Sequence, residues 1–468
     1  MPHDHDVIIV GSGSTAFAAA LRAQALGAKV LMIEKSVLGG TCVNWGCIPS
    51  KTLIHFAVLS REARLGAGIG LGFTEGGIDF GALNSHKESV VKYLRETKYL
   101  DILRDVPGLT LLKGTGRFRD SHTLEVGAQL FRGDKFLIAT GGDPRVIEFP
   151  GLGEVDYLTS RTALLMKQFP KSLVIIGGGV IALELGQMYQ RLGTKVTILE
   201  HGARLLPCLE AEPVRELQQA LVGEGVEILL NVAVCSVRKN ADKTVVEVEL
   251  QGRRQEFAAE RLLLAVGTAP ASAGIGLDKA GVEVDARGFI KVDERMRTSA
   301  RGIWAAGDVI GGMMIATVGA REGVVAVDDM LNPGCGCRMD YLSVPMTVFT
   351  DPELGTVGYT EEEAGKAGFS VVTNLLPVSA IPKAHVTGAT SGVIKMVADK
   401  VTGRLLGVHL VSQHASELVN EAALAIRLRA TIEDMANTLH VYPSLGEGLR
   451  LCAQGFSRDV SKLSCCAE

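Results

Sequence analysis

The sequence lacks the features that would place the protein in a membrane, on a nucleic acid or outside the cell. No apolar run reaches the roughly 18 residues that a membrane-spanning helix needs. The net charge of −4 over 468 residues gives no reason to expect nucleic acid or an anionic membrane as a partner. The amino terminus, MPHDHDVIIV, has no basic and apolar export pattern. We therefore predict a cytoplasmic protein with neither kind of partner.

Size and cysteine content set the next limits. A chain of 468 residues is too long for one core and should divide into three or four domains. In the cytoplasm, nine cysteines indicate redox or metal chemistry, or inert core residues, rather than a framework of structural disulfides. Cys208, Cys235 and Cys452 are isolated in the sequence, and we expect them to be small buried hydrophobic residues.

An internal repeat is the strongest pattern. Asp6 to Val10 is a strand pattern that runs into a glycine-rich turn, an alanine-rich helix and a second strand ending at Glu34. The plan recurs from Ser172 to Glu200, and in both copies the acid follows the first glycine by 23 residues. This is the βαβ dinucleotide fingerprint, whose glycines admit a pyrophosphate to a helix amino terminus while the acid binds a ribose hydroxyl. The candidate residues are Gly11, Gly13, Ala16 and Glu34 in the first copy, and Gly177, Gly179, Ala182 and Glu200 in the second.

The neighbours of each copy predict its cofactor. The cysteine-bearing turn GGTCVNWGCIPSK follows the first copy directly, so we predict that the first copy binds the electron-transferring flavin, FAD. The segment from Thr298 to Asp308 is predicted to be a strand whose final carboxylate accepts from a ribityl hydroxyl. The second copy should bind the nicotinamide nucleotide. Glu200 favours NADH, whereas His201 and Arg204 suit the 2′-phosphate of NADPH, so the choice stays open.

Two cysteine pairs suit different chemistry. Cys42 and Cys47 lie five positions apart and have room to form a redox disulfide. Cys465 and Cys466 are adjacent, with Cα atoms about 3.8 Å apart, whereas a disulfide usually needs about 4.4–6.8 Å. Two reduced thiols of this kind are a ligand for a soft metal ion. The two pairs together predict that a thiophilic metal is delivered to an electron source.

The chain resembles the pyridine nucleotide-disulfide oxidoreductases, the group of glutathione reductase and dihydrolipoamide dehydrogenase. The resemblance rests on the cysteine turn, Ala139-Thr140-Gly141, the second fingerprint, Ala265-Val266-Gly267, AAGD at 305–308 and FTDPELGTVGYT at 349–360. It implies an α/β fold with two Rossmann-like dinucleotide-binding domains, a carboxyl-terminal α+β dimerisation domain, and a homodimer. The predicted domains are 1–148 (FAD, first part), 149–268 (NAD(P)H), 269–336 (central, FAD second part) and 337–468 (interface, with the Cys-Cys tail).

The same resemblance implies roles for individual residues. Cys47 is expected nearer the flavin, with Cys42 as the exchanging thiol, and Lys51 is expected to pair with Glu184 beside the flavin. Tyr99, in the helical pattern from Lys92 to Leu103, matches a tyrosine near the metal in one branch of the family. Further FAD-binding candidates are Lys35, Gly40, Thr41, Lys51, Gly116, Thr140, Gly141 and Ala316, and Gly267 is a further NAD(P)H candidate.

One departure from the family pattern concerns its acid/base residue. The disulfide reductases carry a His-x-His-Pro-Thr-x-x-Glu segment whose second histidine protonates the leaving thiolate, whereas the matching segment here is HVYPSLGE, with Tyr442 in that place. A phenol with a pKa of about 10 is poorly matched to proton transfer near neutrality. Glu447 is then left without that histidine, and we expect His440 to point elsewhere.

In lacking the histidine and carrying the Cys-Cys tail, the chain resembles the mercuric reductases. They are the branch of the family that reduces Hg(II) to elemental mercury. Their tail contains a similar Leu-Ser-Cys-Cys-Ala segment, which implies that Cys465 and Cys466 pass Hg(II) to Cys42 and Cys47 of the partner subunit. We therefore predict an enzyme of mercury resistance that uses FAD and NADPH, with NADH possible, and takes Hg(II)–thiol complexes as substrate. The chain begins at the flavin domain, so we expect no amino-terminal metal-binding module. The alternatives are a dihydrolipoamide-type disulfide reductase and a non-catalytic metal-sequestering flavoprotein. Cys335 and Cys337 could bind a metal, but we predict that their segment is an inter-domain linker.

Overall fold

The first fingerprint belongs to a five-stranded parallel sheet. The computed structural model describes residues 5–72 and 76–462. Apolar side chains cover both faces of the central strand of this sheet, as parallel sheets require. The edge strand Ile303–Ala305 comes from late in the chain, so a distant segment completes the sheet. In order across the sheet, the strands are Ile303–Ala305, Phe136–Ile138, Val7–Val10, Val30–Glu34 and Leu109–Lys113.

Different layers cover the two faces of this first sheet. Helices Ser14–Ala25 and Ala316–Leu331 pack together on one face. The other face is covered by an antiparallel meander of three strands. The meander strands are Gly116–Asp120, Thr123–Val126 and Gln129–Arg132.

The second fingerprint belongs to a second parallel sheet built on the same plan. Its central strand leads through the glycine turn into helix Val180–Arg191. Across the sheet the strands are Glu227–Leu229, Lys195–Leu199, Ser172–Ile176, Arg261–Leu264 and Tyr157–Leu158. An antiparallel meander packs against it, with strands Ala233–Asn240, Lys243–Leu250 and Arg253–Ala259.

The first glycine of each fingerprint serves the same purpose in both units. Gly11 has φ +123° and Gly177 has φ +112°, values that L side chains rarely adopt. A Cβ on Gly11 would overlap the carbonyl oxygen of Ala139, and one on Gly177 would overlap that of Ala265. Each glycine therefore lets the fingerprint turn pass against the neighbouring strand end, which opens the sheet edge for a ligand.

The carboxyl-terminal unit is an antiparallel five-stranded sheet with helices on its face. The strand order is Met346–Val348, Glu353–Gly358, Leu405–Ser412, Val393–Asp399 and Val371–Pro377. The helices of this unit are Glu361–Lys366, Pro382–Thr387, Ala415–Arg427, Ile432–Asn437 and Glu447–Gln454, with short 3-10 turns at Val378–Ala380 and Val460–Lys462.

A buried lysine joins this unit to the second parallel sheet. Lys395 is 3% exposed, and its Nζ lies 3.0 Å from Glu210, 3.1 Å from Glu212 and 2.8 Å from Glu361. A buried ammonium ion is costly without partners. Glu210 and Glu212 of the second unit therefore hold that unit to the carboxyl-terminal unit, whose own Glu361 is the third partner of the lysine. That arrangement positions the carboxyl-terminal unit beside the cleft described below.

The remaining helices, which connect these strands, complete the fold. They include Gly40–Trp45, Cys47–Gly68, Phe80–Arg95, a π-helical turn at Glu96–Leu100, Asp101–Asp105, Ser160–Ala163, Ala211–Gly223 and Leu277–Ala280, with 3-10 turns at Leu152–Glu154 and Asp308–Ile310. A two-stranded link pairs Gly142–Pro144 with Thr268–Pro270. Within the described ranges, no helix combines the length and apolar character needed to cross a bilayer.

The predicted fold class is confirmed, with two parallel dinucleotide-type sheets and an α+β carboxyl-terminal unit. The domain boundaries given above stay a prediction.

Candidate active site

A single cleft of about 450 Å³ gathers most of the predicted flavin and thiol residues. It lies at the carboxyl ends of the first sheet, where α/β sheets bind ligands. The predicted residues that line it are Gly11, Gly13, Glu34, Lys35, Gly40, Thr41, Cys42, Cys47, Lys51, Thr140, Gly141, Glu184, Gly267, Asp308 and Ala316. The cleft thus brings together residues from the first fingerprint, the cysteine turn and helix Val180–Arg191.

Two predicted FAD-binding residues lie in packed positions outside the cleft, and one residue predicted for the nicotinamide lies inside it. Ala16 is fully buried in the helix that follows the first fingerprint, so it sets the packing of that helix. Gly116 is buried in the meander, where a Cβ would lie 3.2 Å from Leu124, so it also serves close packing. Gly267, predicted for the nicotinamide, lines the same cleft as the flavin candidates.

The residues of the cleft fit a dinucleotide. Glu34 accepts hydrogen bonds from Ser12 Oγ and from the backbone N–H of Ser36, both at 2.6 Å, which fixes its carboxylate at the strand end. The buried Thr140 hydroxyl has no hydrogen-bond partner among the described residues, so it is available to a ligand. Burial raises the pKa of Asp308, and pairing with a hydroxyl donor would offset that cost.

The second fingerprint holds its acid in a similar way. Glu200 accepts a 2.5 Å hydrogen bond from the backbone N–H of Gly202, and a Cβ on Gly178 would lie 2.8 Å from the same carboxylate. Arg204 donates to the carbonyl oxygens of Pro207 and Leu209, and His201 lies 3.4 Å from the carbonyl of Val232. Both candidates for a 2′-phosphate are therefore already engaged by backbone carbonyls, and the choice between NADH and NADPH stays a prediction.

The cysteine turn is built from two helices that meet at a glycine. Cys42 lies in helix Gly40–Trp45 and Cys47 begins helix Cys47–Gly68. Gly46 separates them, and a Cβ there would lie 2.9 Å from the carbonyl oxygen of Thr41. The buried Asn44 side chain donates to the carbonyl of Gly40 at 2.8 Å. Backbone packing and this amide, rather than the sulfurs, hold the turn in shape.

The two thiols have opposite acidities. Both cysteines are reduced and half-buried. A hydrogen bond from Cys42 is the main cause that lowers the pKa of Cys47 to about 7, and the charge of Lys51 adds to it against burial. The same hydrogen bond, together with burial, raises the pKa of Cys42. Cys47 is therefore the thiolate of the pair near neutrality, and Cys42 carries the proton.

Lys51 lies one turn along the helix from Cys47 and joins three units of the fold. Its Nζ lies 2.6 Å from Glu184 Oε2 and 4.7 Å from the centre of the Phe349 ring. Glu184 is 4% exposed, and its other oxygen accepts from the backbone N–H of Phe349 at 2.9 Å. The ammonium group is thus held beside the thiol pair by Glu184 of the second unit and Phe349 of the carboxyl-terminal unit.

The Lys51 charge gives a testable pH dependence. Because a nearby cation favours the thiolate, Lys51→Met should raise the pKa of Cys47 from about 7 by about one unit. Ultraviolet thiolate absorbance of the reduced protein, with the Cys47→Ser curve subtracted, measures this midpoint. Lys51→Arg keeps the charge and should keep the midpoint. An unchanged midpoint in Lys51→Met would show that the ammonium group does not act on the thiol.

Tyr99 lies on the π-helical turn Glu96–Leu100, inside the predicted helical run. Such turns are frequent at functional sites. Its ring packs edge-on against Phe17 with centroids 4.7 Å apart. Burial raises the pKa of the phenol, and the charges of Cys42 and Cys47 raise it further. The structure therefore places a protonated phenol in the neighbourhood of the thiol pair.

Tyr442 lies elsewhere in the protomer, between helices Ile432–Asn437 and Glu447–Gln454. It is 48% exposed and is not among the described residues that line the cleft. Glu447 is buried, its Oε2 has no hydrogen-bond partner within the described part of the chain, and burial raises its pKa. His440 instead lies 2.9 Å from Glu421, which raises the pKa of the imidazole.

The prediction that the isolated cysteines are buried is right for one of them and wrong for two. Cys452 is fully buried, and burial raises its pKa to about 12, so its prediction as an inert core residue is confirmed. The same prediction is wrong for Cys208, which is exposed, and for Cys235, which is half-buried. Both lie outside the apolar cores because a turn and an edge strand carry them. Cys465 and Cys466 lie outside the described residues.

Sequence reasoning missed a stacked pair in the cleft. The Arg161 guanidinium lies 4.3 Å from the centre of the Trp45 ring, and both side chains line the cleft. Trp45 Nε1 and Arg161 Nε are buried without a hydrogen-bond partner among the described residues. The position of Trp45 between the two cysteines was the available signal, whereas nothing local marks Arg161.

A second residue that the sequence analysis missed, Glu322, holds the turn that carries Asp308. Glu322 is 2% exposed and accepts from the backbone N–H of Gly307 and from the Tyr341 hydroxyl, both at 2.8 Å. Burial raises its pKa. A glutamate among the small and apolar residues of this helix was the signal in the sequence.

Comparison with known proteins agrees with this geometry. Residues 5–323 match the pyridine nucleotide-disulphide oxidoreductase family and residues 344–453 match its dimerisation domain. A mercuric reductase of Staphylococcus aureus is 39% identical over 99% of this chain and 84% of that protein. A dihydrolipoyl dehydrogenase of Thermus scotoductus is 38% identical over 97% and 98%. The Cu(II) complex of RclA, an HOCl-induced flavoprotein disulfide reductase of Escherichia coli, superposes with a TM-score of 0.86 at 32% identity, covering 97% and 99%. The chain therefore belongs to the pyridine nucleotide-disulphide oxidoreductase family.

Proposed function

We propose that the protein is a mercuric reductase, which uses NAD(P)H, FAD and the Cys42–Cys47 pair to reduce thiol-bound Hg(II) to elemental mercury. The observation that carries the proposal is the pairing of a complete redox dithiol site with a tyrosine at position 442. The similarity to curated mercuric reductases over almost the whole chain supports it. Each turnover converts one Hg(II) bis-thiolate, one NAD(P)H and one proton into Hg(0), two free thiols and NAD(P)⁺.

The residues of the cleft divide the work of holding the cofactor. The fingerprint turn, Glu34 and Asp308 would hold FAD, and helix Val180–Arg191, which follows the second fingerprint, lines the same cleft. When bound, FAD supplies the path for electrons from NAD(P)H to the thiol pair. Lys51, fixed by Glu184, keeps positive charge beside Cys47, which favours the thiolate form needed for metal exchange.

The thiol pair can accept a metal by exchange without an added acid. Cys42 passes its proton along the hydrogen bond to the Cys47 thiolate and attacks the Hg(II) of an incoming complex, and one carrier thiolate leaves. Cys47 then forms the second Hg–S bond, and that proton goes to the second carrier sulfur as the sulfur leaves. Because the proton released by Cys42 serves the leaving group, this exchange needs no histidine. Tyr99, protonated beside the sulfurs, provides a weak donor at the same place.

We place the functional site between two subunits. The dimerisation-domain match supports a homodimer. Tyr442 is half exposed and lies away from the cleft of its own chain, as expected for a residue that completes the partner's site. The same arrangement would bring the partner's Cys465 and Cys466 to Cys42, where they would act as the entry ligand for Hg(II).

A disulfide reductase is the second candidate, and one contact favours it. His440 pairs with Glu421 at 2.9 Å, an arrangement that resembles an acid/base dyad, and the Thermus scotoductus relative is a dihydrolipoyl dehydrogenase. The similar RclA structure is a Cu(II) complex, so copper is a further metal to test. The assignment to the cytoplasm stays part of the proposal.

Relative turnover of metal and disulfide substrates tests the proposed function. With NADPH and then NADH, we expect oxidation driven by Hg(II)–thiol complexes to exceed that driven by lipoamide or glutathione disulfide by at least about 100-fold, because Tyr442 cannot replace a histidine acid. Tyr442→His should not raise the Hg(II) rate. His440→Asn should leave the metal reaction intact and separates the two candidates. Disulfide turnover that rivals the metal reaction and is lost in His440→Asn would establish the second candidate.

A further inference from the structure

A second cysteine pair lies in the turn that follows helix Ala316–Leu331. The segment 332–337, here the CGC turn, is tightly bent, with Gly334 at φ +106° and Gly336 at φ +64°. The backbone N–H of Cys335 donates to the carbonyl of Asn332 at 3.1 Å. A Cβ added to Gly334 or Gly336 would meet nothing within 4 Å. The turn is therefore held by a hydrogen bond between its own residues, and no other part of the described chain packs closely against its two glycines.

The two sulfurs of the CGC turn face each other. The backbone N–H of Cys337 donates to Cys335 Sγ at 3.2 Å. The two thiols also share a hydrogen bond, and this bond is the main cause that raises the pKa of Cys337. Both cysteines are half-buried. Two thiols thus lie together at a position that a small solute can reach.

The CGC turn is separate from the redox thiols. Neither Cys335 nor Cys337 lines the cleft as described. Ala316, at the beginning of the helix, does line it, whereas the CGC turn follows the other end. A helix of 16 residues is about 24 Å long at 1.5 Å per residue. The CGC turn therefore lies at the end of this helix that is remote from the cleft.

We propose that Cys335 and Cys337 form a second dithiol site, which binds a thiophilic ion such as Hg(II) as a bis-thiolate. Two thiolates in one turn bind as a chelate, and such linkage strengthens binding by about 10²–10⁴-fold over one thiol. One intervening residue also frees the pair from the short Cα spacing of adjacent cysteines. Binding breaks two S–H bonds, forms two S–Hg bonds, and transfers two protons to the two carrier thiolates that leave, with no change of oxidation state.

The number of protein ligands at the CGC turn determines which metal ions it suits. Among the described residues, no group of three or more His, Cys, Asp or Glu side chains is placed to hold a metal ion. Structural Zn(II) sites need four protein ligands, so the CGC turn does not suit Zn(II). Two sulfurs alone satisfy an ion that accepts two soft ligands. The site is therefore expected to discriminate Hg(II) from Zn(II).

Metal stoichiometry in a chain without the other dithiols tests the site. The FAD-loaded full chain with Cys42→Ala, Cys47→Ala, Cys465→Ala and Cys466→Ala is mixed with Hg(II) or Zn(II) in excess monothiol and then desalted. We expect a single Hg(II) per chain and no retained Zn(II). Adding Cys335→Ser or Cys337→Ser should lower retained mercury at least about tenfold. The matched control adds Cys208→Ser and Cys235→Ser, which remove isolated thiols and should change nothing.

Alkylation of the wild-type protein provides an independent measurement. Peptide mass spectrometry should show that Hg(II) added until every dithiol is filled protects Cys335 and Cys337 from iodoacetamide, while Cys208 stays reactive. Equal alkylation with and without Hg(II) would overturn the proposal, as would mercury retention unaffected by the serine substitutions. Neither measurement uses turnover, so the CGC turn can bind Hg(II) even if mercury is not the substrate of the redox pair.

Discussion

Cys42→Ser and Cys47→Ser are each expected to abolish Hg(II)-dependent NAD(P)H oxidation, with a loss of at least about 1,000-fold. The two sulfurs act as one unit, in which Cys42 donates to Cys47 and lowers its pKa to about 7, so removing either one removes the function of both. Steady-state oxidation of NADPH with a thiol-bound Hg(II) substrate measures the loss. Mercury vapour released by the enzyme provides a direct measure of the product.

The flavin should stay bound in both variants. The cysteine turn is held by Gly46 and by the Asn44 side chain, which also accepts from Arg95 at 3.1 Å, and these contacts do not involve sulfur. Flavin absorbance after gel filtration tests this point. Cys208→Ser, which removes an exposed thiol, is the matched control and should keep full activity. Substantial mercury reduction by either redox variant would contradict the proposed role of the pair.

A heterodimer that carries Cys465→Ala/Cys466→Ala on one subunit and Cys42→Ala on the other is expected to keep about half the activity. If each tail serves the partner, one composite site loses both elements and the other keeps both. If each tail serves its own subunit, both sites lack one element, and activity with thiol-bound Hg(II) should be nearly lost. Differently tagged subunits, purified in tandem, give the required dimer.

The tail variant by itself provides the control for this experiment. As a homodimer, Cys465→Ala/Cys466→Ala should still show flavin reduction by NAD(P)H, because the tail does not take part in that step. Its turnover should fall chiefly with Hg(II) held by thiols, which must be displaced by competing thiols. Equal turnover of thiol-bound and weakly held Hg(II) in this variant would argue against a role in exchange.

Patterns that are local in the chain were readable from the sequence. The two fingerprints each lie within one contiguous βαβ segment, so apolar runs and glycine spacing predicted both parallel sheets and both turns. The Cys42–Cys47 pair was readable for the same reason. Gly116 and Ala16 show the limit, since packing and ligand contact both select small residues, and the sequence cannot separate the two.

The resemblance to known families supplied pairings that local pattern does not contain. Lys51 and Glu184 are 133 residues apart, and their contact was expected only from the family match. The backbone of Phe349, which holds the other oxygen of Glu184 from 165 residues away, was not expected. Nor was the stacking of Arg161 on Trp45, because nothing near Arg161 marks it.

The sequence by itself determined the fold class, through family motifs that are spread along the chain. It also determined the two nucleotide-type turns and the Cys42–Cys47 turn, because each depends on residues that are neighbours in the chain. The tertiary structure decided the acidity of Cys47, since that depends on the placement of Cys42 and Lys51 around it. It also decided that Tyr99 lies on a π-helical turn by the thiols and that Tyr442 lies away from the cleft of its own chain. Electrostatic and packing interactions act through space, so they appear only once distant segments have been brought together.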